Sequence, residues 1–186
     1  MIYEKNIFLN KIISDMSGSS IENPRLDSKI IVSHVLGCKI DQILLNTHLE
    51  ISDNQINEIN KYVYRRINGE PVSRIISKRE FWSLEFKINQ ATLDPRHDTE
   101  TLIDAILSLQ STKEKISILD LGTGCGCILL SLLSEYKQAI GFGLDISFEA
   151  ISVAVFNSKK LGLEHRSHFF VGDWFNAITS QFDIIV

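Results

Sequence analysis

The stretch Ile116-Ser-Ile-Leu-Asp-Leu-Gly-Thr-Gly-Cys-Gly-Cys-Ile-Leu-Leu-Ser131 decides the fold of this chain. An apolar run ends in an acid, glycine follows at every second position, and an apolar pattern of helical period takes over. That is a strand, a tight turn with bare backbone and a helix N-terminus, an arrangement in which a ligand can lie against main-chain amides. Beyond it, Ala139–Asp145, His168–Gly172 and Phe182–Val186 read as further strands, with helices over Cys127–Glu135 and Phe148–Leu161. Strand and helix alternating at this spacing predict a parallel, doubly wound sheet that begins after Lys113-Glu-Lys115.

Upstream of the sheet the period differs. Ile7, Phe8, Ile12, Ile13 and Met16 predict one helix, ended by Gly18-Ser-Ser. Asn23-Pro24 supplies an N-cap and a first-turn proline for a second helix with Leu26, Ile30, Ile31, Val35 and Leu36 on one face, closed by Gly37. A short piece follows around Asp41–Asn46. Ser52-Asp-Asn-Gln55 is a capping box for a helix with Ile56, Ile59, Val63 and Ile67 inward. Gly69 ends it and Pro71 is expected to prevent its resumption. From Arg79 the pattern alternates, so Trp82–Ile88 reads as a strand, with Asn89-Gln90 turning and Ala91–Leu93 pairing back. Pro95–Thr99 then leads into a helix with Leu102, Ile103, Ile106 and Leu107 on one side and Asp98 or Thr99 as cap. The expected organisation is a helical domain over 1–75, a β-hairpin linker over 76–94 and an incomplete α/β domain over 95–186.

Composition bounds the function. A hydrophobic fraction of 44% with 23% charged residues is ordinary for a globular protein. No apolar run approaches the roughly 20 residues that span a bilayer, and no signal-peptide pattern opens the chain, so a cytoplasmic protein without membrane contact is expected. The three cysteines, Cys38, Cys125 and Cys127, do not make a disulfide framework. The net charge of −4 argues against direct nucleic-acid binding. Basic clusters at Lys61–Arg66 and Arg74–Arg79 read as solvated helix or loop charge.

The candidate cofactor-binding residues are Gly122, Thr123, Gly124, Cys125, Gly126, Asp145, Asp173 and Trp174. A dinucleotide fingerprint would place a third glycine at position 127, where this chain has Cys127. Asp120, just before the turn, would repel a pyrophosphate but suits a ligand carrying ammonium and sulfonium charge. The pattern therefore favours S-adenosylmethionine over a nicotinamide dinucleotide. Asp145, about 20 residues on, is placed to accept from two ribose hydroxyls, or else to open the helix at Phe148. Trp174 at the third strand end could stack on an adenine whose amino group donates to Asp173; alternatively Trp174 and Phe175 are core aromatics. Cys125-Gly-Cys127 lacks the spacing and partners of a zinc site, so no metal is expected. No Ser/His/Asp or P-loop signature is present.

Taken together these residues resemble the bacterial release-factor glutamine methyltransferases (the HemK/PrmC family). The resemblance rests on the helical first domain, Arg65-Arg-Ile-Asn-Gly-Glu-Pro71, Arg79-Glu-Phe-Trp-Ser-Leu84, Asp94-Pro-Arg-His-Asp-Thr-Glu100, Ile118-Leu-Asp-Leu-Gly-Thr-Gly124, Asp145 and Gly172-Asp-Trp-Phe175. It implies an α/β fold: a small helical domain followed by a partial Rossmann-like methyltransferase domain with a parallel sheet. It implies S-adenosylmethionine on Gly122–Gly126, Asp145 and Trp174. The expected reaction is methylation of the side-chain amide nitrogen of glutamine in the Gly-Gly-Gln loop of peptide chain release factors, with the helical domain holding that partner. Where the family has Pro-Arg-Pro, this chain has Pro95-Arg96-His97.

The family's Asn-Pro-Pro-Tyr motif, which would follow the strand at Phe182–Val186, does not occur in these 186 residues. The chain is therefore expected to be C-terminally truncated, to contain no catalytic residue, to bind cofactor with little turnover, and to expose an apolar strand edge. The competing expectations are a non-catalytic fragment that binds cofactor or release factor, and an amino-methyltransferase acting on adenine in nucleic acid.

Overall fold

Side-chain caps start the three longest helices of the first 76 residues. In this computed structural model, which describes residues 1–109, 115–174 and 178–186, the chain divides into two compact units, Met1–Ile76 and Ser77–Val186. Lys113, Glu114 and Phe175 lie outside the described residues. Helix α1 (Lys5–Met16) begins where the Glu4 carboxylate accepts from the amides of Asn6 and Ile7. Helix α2 (Pro24–Leu36) is capped by Asn23, opened by its proline and closed by Gly37 in the left-handed region. Helix α3 (Ile40–Leu45) is short, and α4 (Asp53–Ile67) carries the Ser52/Gln55 capping box. Leu9, Ile12, Met16, Ile31, Val32, Ile43, Ile59 and Val63 form the buried centre of this unit.

Several expectations change here. Ile7 is 72% exposed, and the inward row of α1 is Leu9, Ile12 and Met16, so the face is rotated from the expected one. Leu26 and Ile67 are likewise exposed. Helix α4 does end before Pro71, and a separate short helix that was not expected, α5 (Val72–Ile76), starts directly after it, as a proline at a helix start permits. Two three-residue strands, β1 (Ile2–Glu4) and β2 (His48–Glu50), pair antiparallel and were not expected.

The second unit opens with a hairpin of β3 (Lys78–Phe81) and β4 (Leu84–Lys87), in the register Lys78↔Lys87 and Phe81↔Leu84. Its turn is Trp82-Ser83, both at positive φ (52° and 56°), as a two-residue hairpin turn of matching twist requires. This corrects the expected pairing: Asn89–Thr92 does turn, but no strand returns from it. Two carboxylates stabilise the unusual turn. Glu100 Oε1 accepts the Trp82 amide at 3.0 Å and Glu135 Oε1 accepts the Trp82 indole N–H at 2.8 Å. Asp98 and Thr99 sit in a 3-10 turn before α6 (Glu100–Leu109), whose buried row is Ile103 and Ile106.

Among the described residues the main sheet has four parallel strands in the order β7-β6-β5-β8. These are β5 (Ser117–Leu121), β6 (Ile140–Asp145), β7 (Ser167–Val171) and β8 (Ile184–Ile185). Helix α7 (Cys127–Glu135) joins β5 to β6 and α8 (Phe148–Lys160) joins β6 to β7. Ile118, Leu129, Leu130, Leu132, Leu133, Tyr136 and Val153 belong to the core beneath them, with Phe81, Phe86 and Ile88 from the hairpin region.

Candidate functional site

From β5 the chain steps outward to β6 and β7, then crosses back to pair β8 on the other side of β5. Strand order reverses at β5, and in open α/β sheets ligands lodge beyond the carboxyl ends at such a reversal. The glycine turn emerges at that point. Gly122 and Gly124 have φ of 77° and 56°, a region that residues with a Cβ enter only at a cost of about 1–2 kcal/mol.

The turn is held from within the sheet. The amides of Gly122 and Thr123 donate to the Leu144 carbonyl at 2.8 and 2.9 Å, and the Gly126 amide donates to the Thr123 carbonyl at 2.8 Å. On the outer side a Cβ at Gly122 would meet no atom within 4 Å, and one at Gly124 only the Gly122 carbonyl oxygen at 4.0 Å. That side of the turn has room for a ligand. Gly126 is different: a Cβ there would meet Leu130 Cδ1 at 3.1 Å and Ala154 Cβ at 3.3 Å, so its bareness serves packing. Gly143 in β6 lets β7 and the turn close up, because a Cβ would lie 2.5 Å from Phe169 and 3.0 Å from Thr123 Oγ1. The Cys125 side chain points into the core, which leaves its main chain as the part available to a ligand.

Two carboxylates flank the turn. Asp120 is 3% exposed and accepts from the Thr123 hydroxyl at 2.7 Å. Burial pushes its pKa up to about 6, the Thr123 hydrogen bond opposes that rise, and the charge of Asp145 adds to it. Asp145 accepts from the Gly124 amide through Oδ2 and from the Ser147 amide through Oδ1, both at 2.9 Å. A carboxylate has about four acceptor positions, so a lone pair on each oxygen remains for a ligand hydroxyl. Asp145 thus sets the backbone ahead of α8, while Ser147 is the N-cap, accepting from the Ala150 amide at 3.1 Å.

At the end of β7, Asp173 and Trp174 are exposed. Trp174 is 63% exposed at a positive φ of 45°, so it is not a core aromatic. Asp145 and the glycine turn are in direct contact through the Gly124 amide. The sequence reading missed Asn157, a buried polar residue on the inward side of α8, and Gly143. The signal for the first was an amide among Ala150, Val153 and Ala154 at helical spacing.

A cavity of about 700 Å³ is lined by the first residues of β5 and β6 and by residues 178–183, and includes no residue of the glycine turn. Among the described residues no cluster of three or more His, Cys, Asp or Glu could hold a metal ion, and no helix is long and apolar enough to cross a membrane.

The fold, the strand-order reversal and the glycine turn define a class: an α/β methyltransferase domain behind a small helical one. A methyltransferase-domain family model matches residues 112–186, and one for the PrmC N-terminal domain matches residues 8–76. Proteins described as release factor glutamine methyltransferases are similar to this chain over nine tenths or more of its length. A protein of that description from Buchnera aphidicola subsp. Schizaphis graminum is 42% identical over 181 residues, covering 97% of this chain and 64% of the relative. One from Rhodospirillum rubrum is 43% identical over 169 residues, covering 90% of this chain and 51% of the relative. The chain thus spans between half and two thirds of the length of these relatives. A solved RNA methyltransferase from Salinibacter ruber, in complex with S-adenosyl-L-homocysteine, is 28% identical over 46% of this chain and 56% of its own, with a TM-score of 0.42.

Proposed function

We propose that this chain binds S-adenosylmethionine and forms part of a cytoplasmic enzyme that methylates the glutamine side-chain amide in the Gly-Gly-Gln loop of peptide chain release factors. The observation that carries the cofactor assignment is the joint geometry of the open glycine turn and Asp145, which holds the Gly124 amide and keeps acceptor capacity outward. The relatives' description supports the substrate.

When bound, the cofactor supplies a methyl group on a positively charged sulfur. The residues of this chain bind and orient it. Main-chain groups from Gly122 to Gly126 lie along its nonreacting part, with Thr123 and Cys125 holding the turn in shape. The carboxylate of Asp145 takes the two ribose hydroxyls. Asp120, with a pKa of about 6, is mostly ionised at pH 7 and favours a cationic ligand over a neutral or anionic one. Trp174 and Asp173, exposed after β7, would hold the adenine, the indole against its face and the carboxylate at its amino group. An amide nitrogen is a weak nucleophile, so methyl transfer needs it held in line with the sulfur, a task of positioning. No residue of this chain is assigned to that task. The Met1–Ile76 unit is assigned to the release factor, and the acidic net charge supports a protein rather than a nucleic-acid partner.

Titration calorimetry with S-adenosylhomocysteine and, separately, with NADH tests the cofactor assignment. Saturable uptake of the first and not the second is expected. Tighter binding of NADH, or no uptake of S-adenosylhomocysteine at millimolar concentration, would overturn it.

A further inference from the structure

Asn157 on α8 is 0% exposed and forms all three of its hydrogen bonds away from its own helix. Its Oδ1 accepts from the Lys87 amide at 2.8 Å, and its Nδ2 donates to the Lys87 carbonyl at 3.0 Å and to the Cys125 carbonyl at 2.9 Å. Toward β4 it acts as a neighbouring strand would, taking the N–H and the C=O of one residue. Its remaining N–H goes to the glycine turn. Only a carboxamide of this length meets the requirement: aspartate has no donor when ionised, and serine has one hydroxyl for two carbonyls. The bond to the Cys125 carbonyl also fixes the orientation of the Cys125–Gly126 peptide, whose N–H is the donor to Thr123. Losing this side chain would leave three main-chain groups on two segments without their partner, which is unfavourable where they are shielded from water.

We infer that Asn157 is a positioning residue: it sets the conformation of the glycine turn and ties it to the β3–β4 hairpin, so that occupancy of the turn is transmitted to Lys87. The transmission rests on the cofactor assignment above; the setting of the turn does not. Ser158, the next residue, supplies a control. It is equally buried, but its hydroxyl shares a 2.5 Å hydrogen bond with Ser167 and makes no hydrogen bond to the turn or the hairpin.

The experiment is hydrogen exchange on the full chain, with Asn157→Leu, the milder Asn157→Ser, and Ser158→Ala matched to them by the loss in Tm. Without ligand, amides in 122–127 are expected to exchange about tenfold faster in either Asn157 variant and at the wild-type rate in Ser158→Ala. With S-adenosylhomocysteine, the wild type should gain protection over residues 85–89. The Asn157 variants should lose that gain and bind about tenfold more weakly. Unchanged exchange in a folded Asn157 variant, or the same acceleration in Ser158→Ala, overturns the proposal. If the wild type takes up no S-adenosylhomocysteine, the cofactor assignment falls and the ligand-free exchange still decides whether Asn157 sets the turn.

Discussion

Helices α7 and α8 leave the same sheet by similar routes and start in opposite ways. Helix α8 is closed by the Ser147 hydroxyl, with Asp145 holding the preceding backbone. Helix α7 begins at Gly126, in the left-handed region and without a side-chain cap. The caps of α1, α2 and α4 resemble that of α8. The bare start of α7 leaves main-chain amides that no side chain caps, and under the proposed function the polar atoms of a ligand would meet them. The acid that ends β6 belongs to both starts: one oxygen prepares α8 and the other steadies the turn before α7.

Asp145→Ala strikes both starts and should have the largest effect. It removes two charge-assisted hydrogen bonds to amides together with the ribose acceptor, so affinity for S-adenosylhomocysteine should fall about a thousandfold by calorimetry. An unchanged affinity would remove Asp145 from the site. Next comes the buried Asp120. Its pKa is raised in the folded chain, so between the unfolded value of 3.8 and about 6 the folded state binds the extra proton. Stability should therefore fall as pH rises through that window, by on the order of 3 kcal/mol, and stay level above it. Asp120→Asn should flatten that slope in denaturant titrations at pH 4, 5, 6 and 7, and a slope unaltered by the substitution would assign the effect elsewhere. In the wild type, affinity for S-adenosylmethionine relative to its uncharged-sulfur product should also decline below pH 6.

Gly124→Ala tests the bare start alone. Its Cβ would project toward open space, so the folded state should lose only the roughly 1–2 kcal/mol of a left-handed alanine. Ligand affinity should fall about tenfold, and equal binding would mean that the turn merely reverses the chain. Ser147→Ala tests the capped start and should be the mildest. About 1 kcal/mol of stability should be lost in thermal melts, with ligand affinity within about twofold of wild type. A large loss of binding there would erase the distinction between the two helices.

Which parts of this arrangement were legible in the sequence follows from how local their causes are. The boundaries of α7 and the caps of α2 and α4 depend on residues within a few positions, and the residues at 126, 23 and 52 signal them directly. The glycine turn and Asp145 were legible because strand, turn and acid recur at fixed spacing. The hairpin was misread because Trp82-Ser83 has none of the Asn, Asp or Gly that favour positive φ at both turn positions; carboxylates 18 and 53 residues away hold it. The face of α1 was misplaced because Ile7 and Leu9 are equally apolar, and only packing against the other helices of its unit decides which is buried. Asn157 escaped because its partners are 70 and 32 residues away.

Arg166 secures α7 at the end opposite its bare start. The guanidinium donates to the carbonyls of Leu133, Tyr136 and Ala139 at 2.8–2.9 Å, gripping the last turn of α7 and the bend into β6. At a rise of about 1.5 Å per residue, that grip lies roughly 14 Å from the glycine turn. With the far end held in this way, any displacement at the near end would take the form of a small tilt in preference to sliding along the sheet.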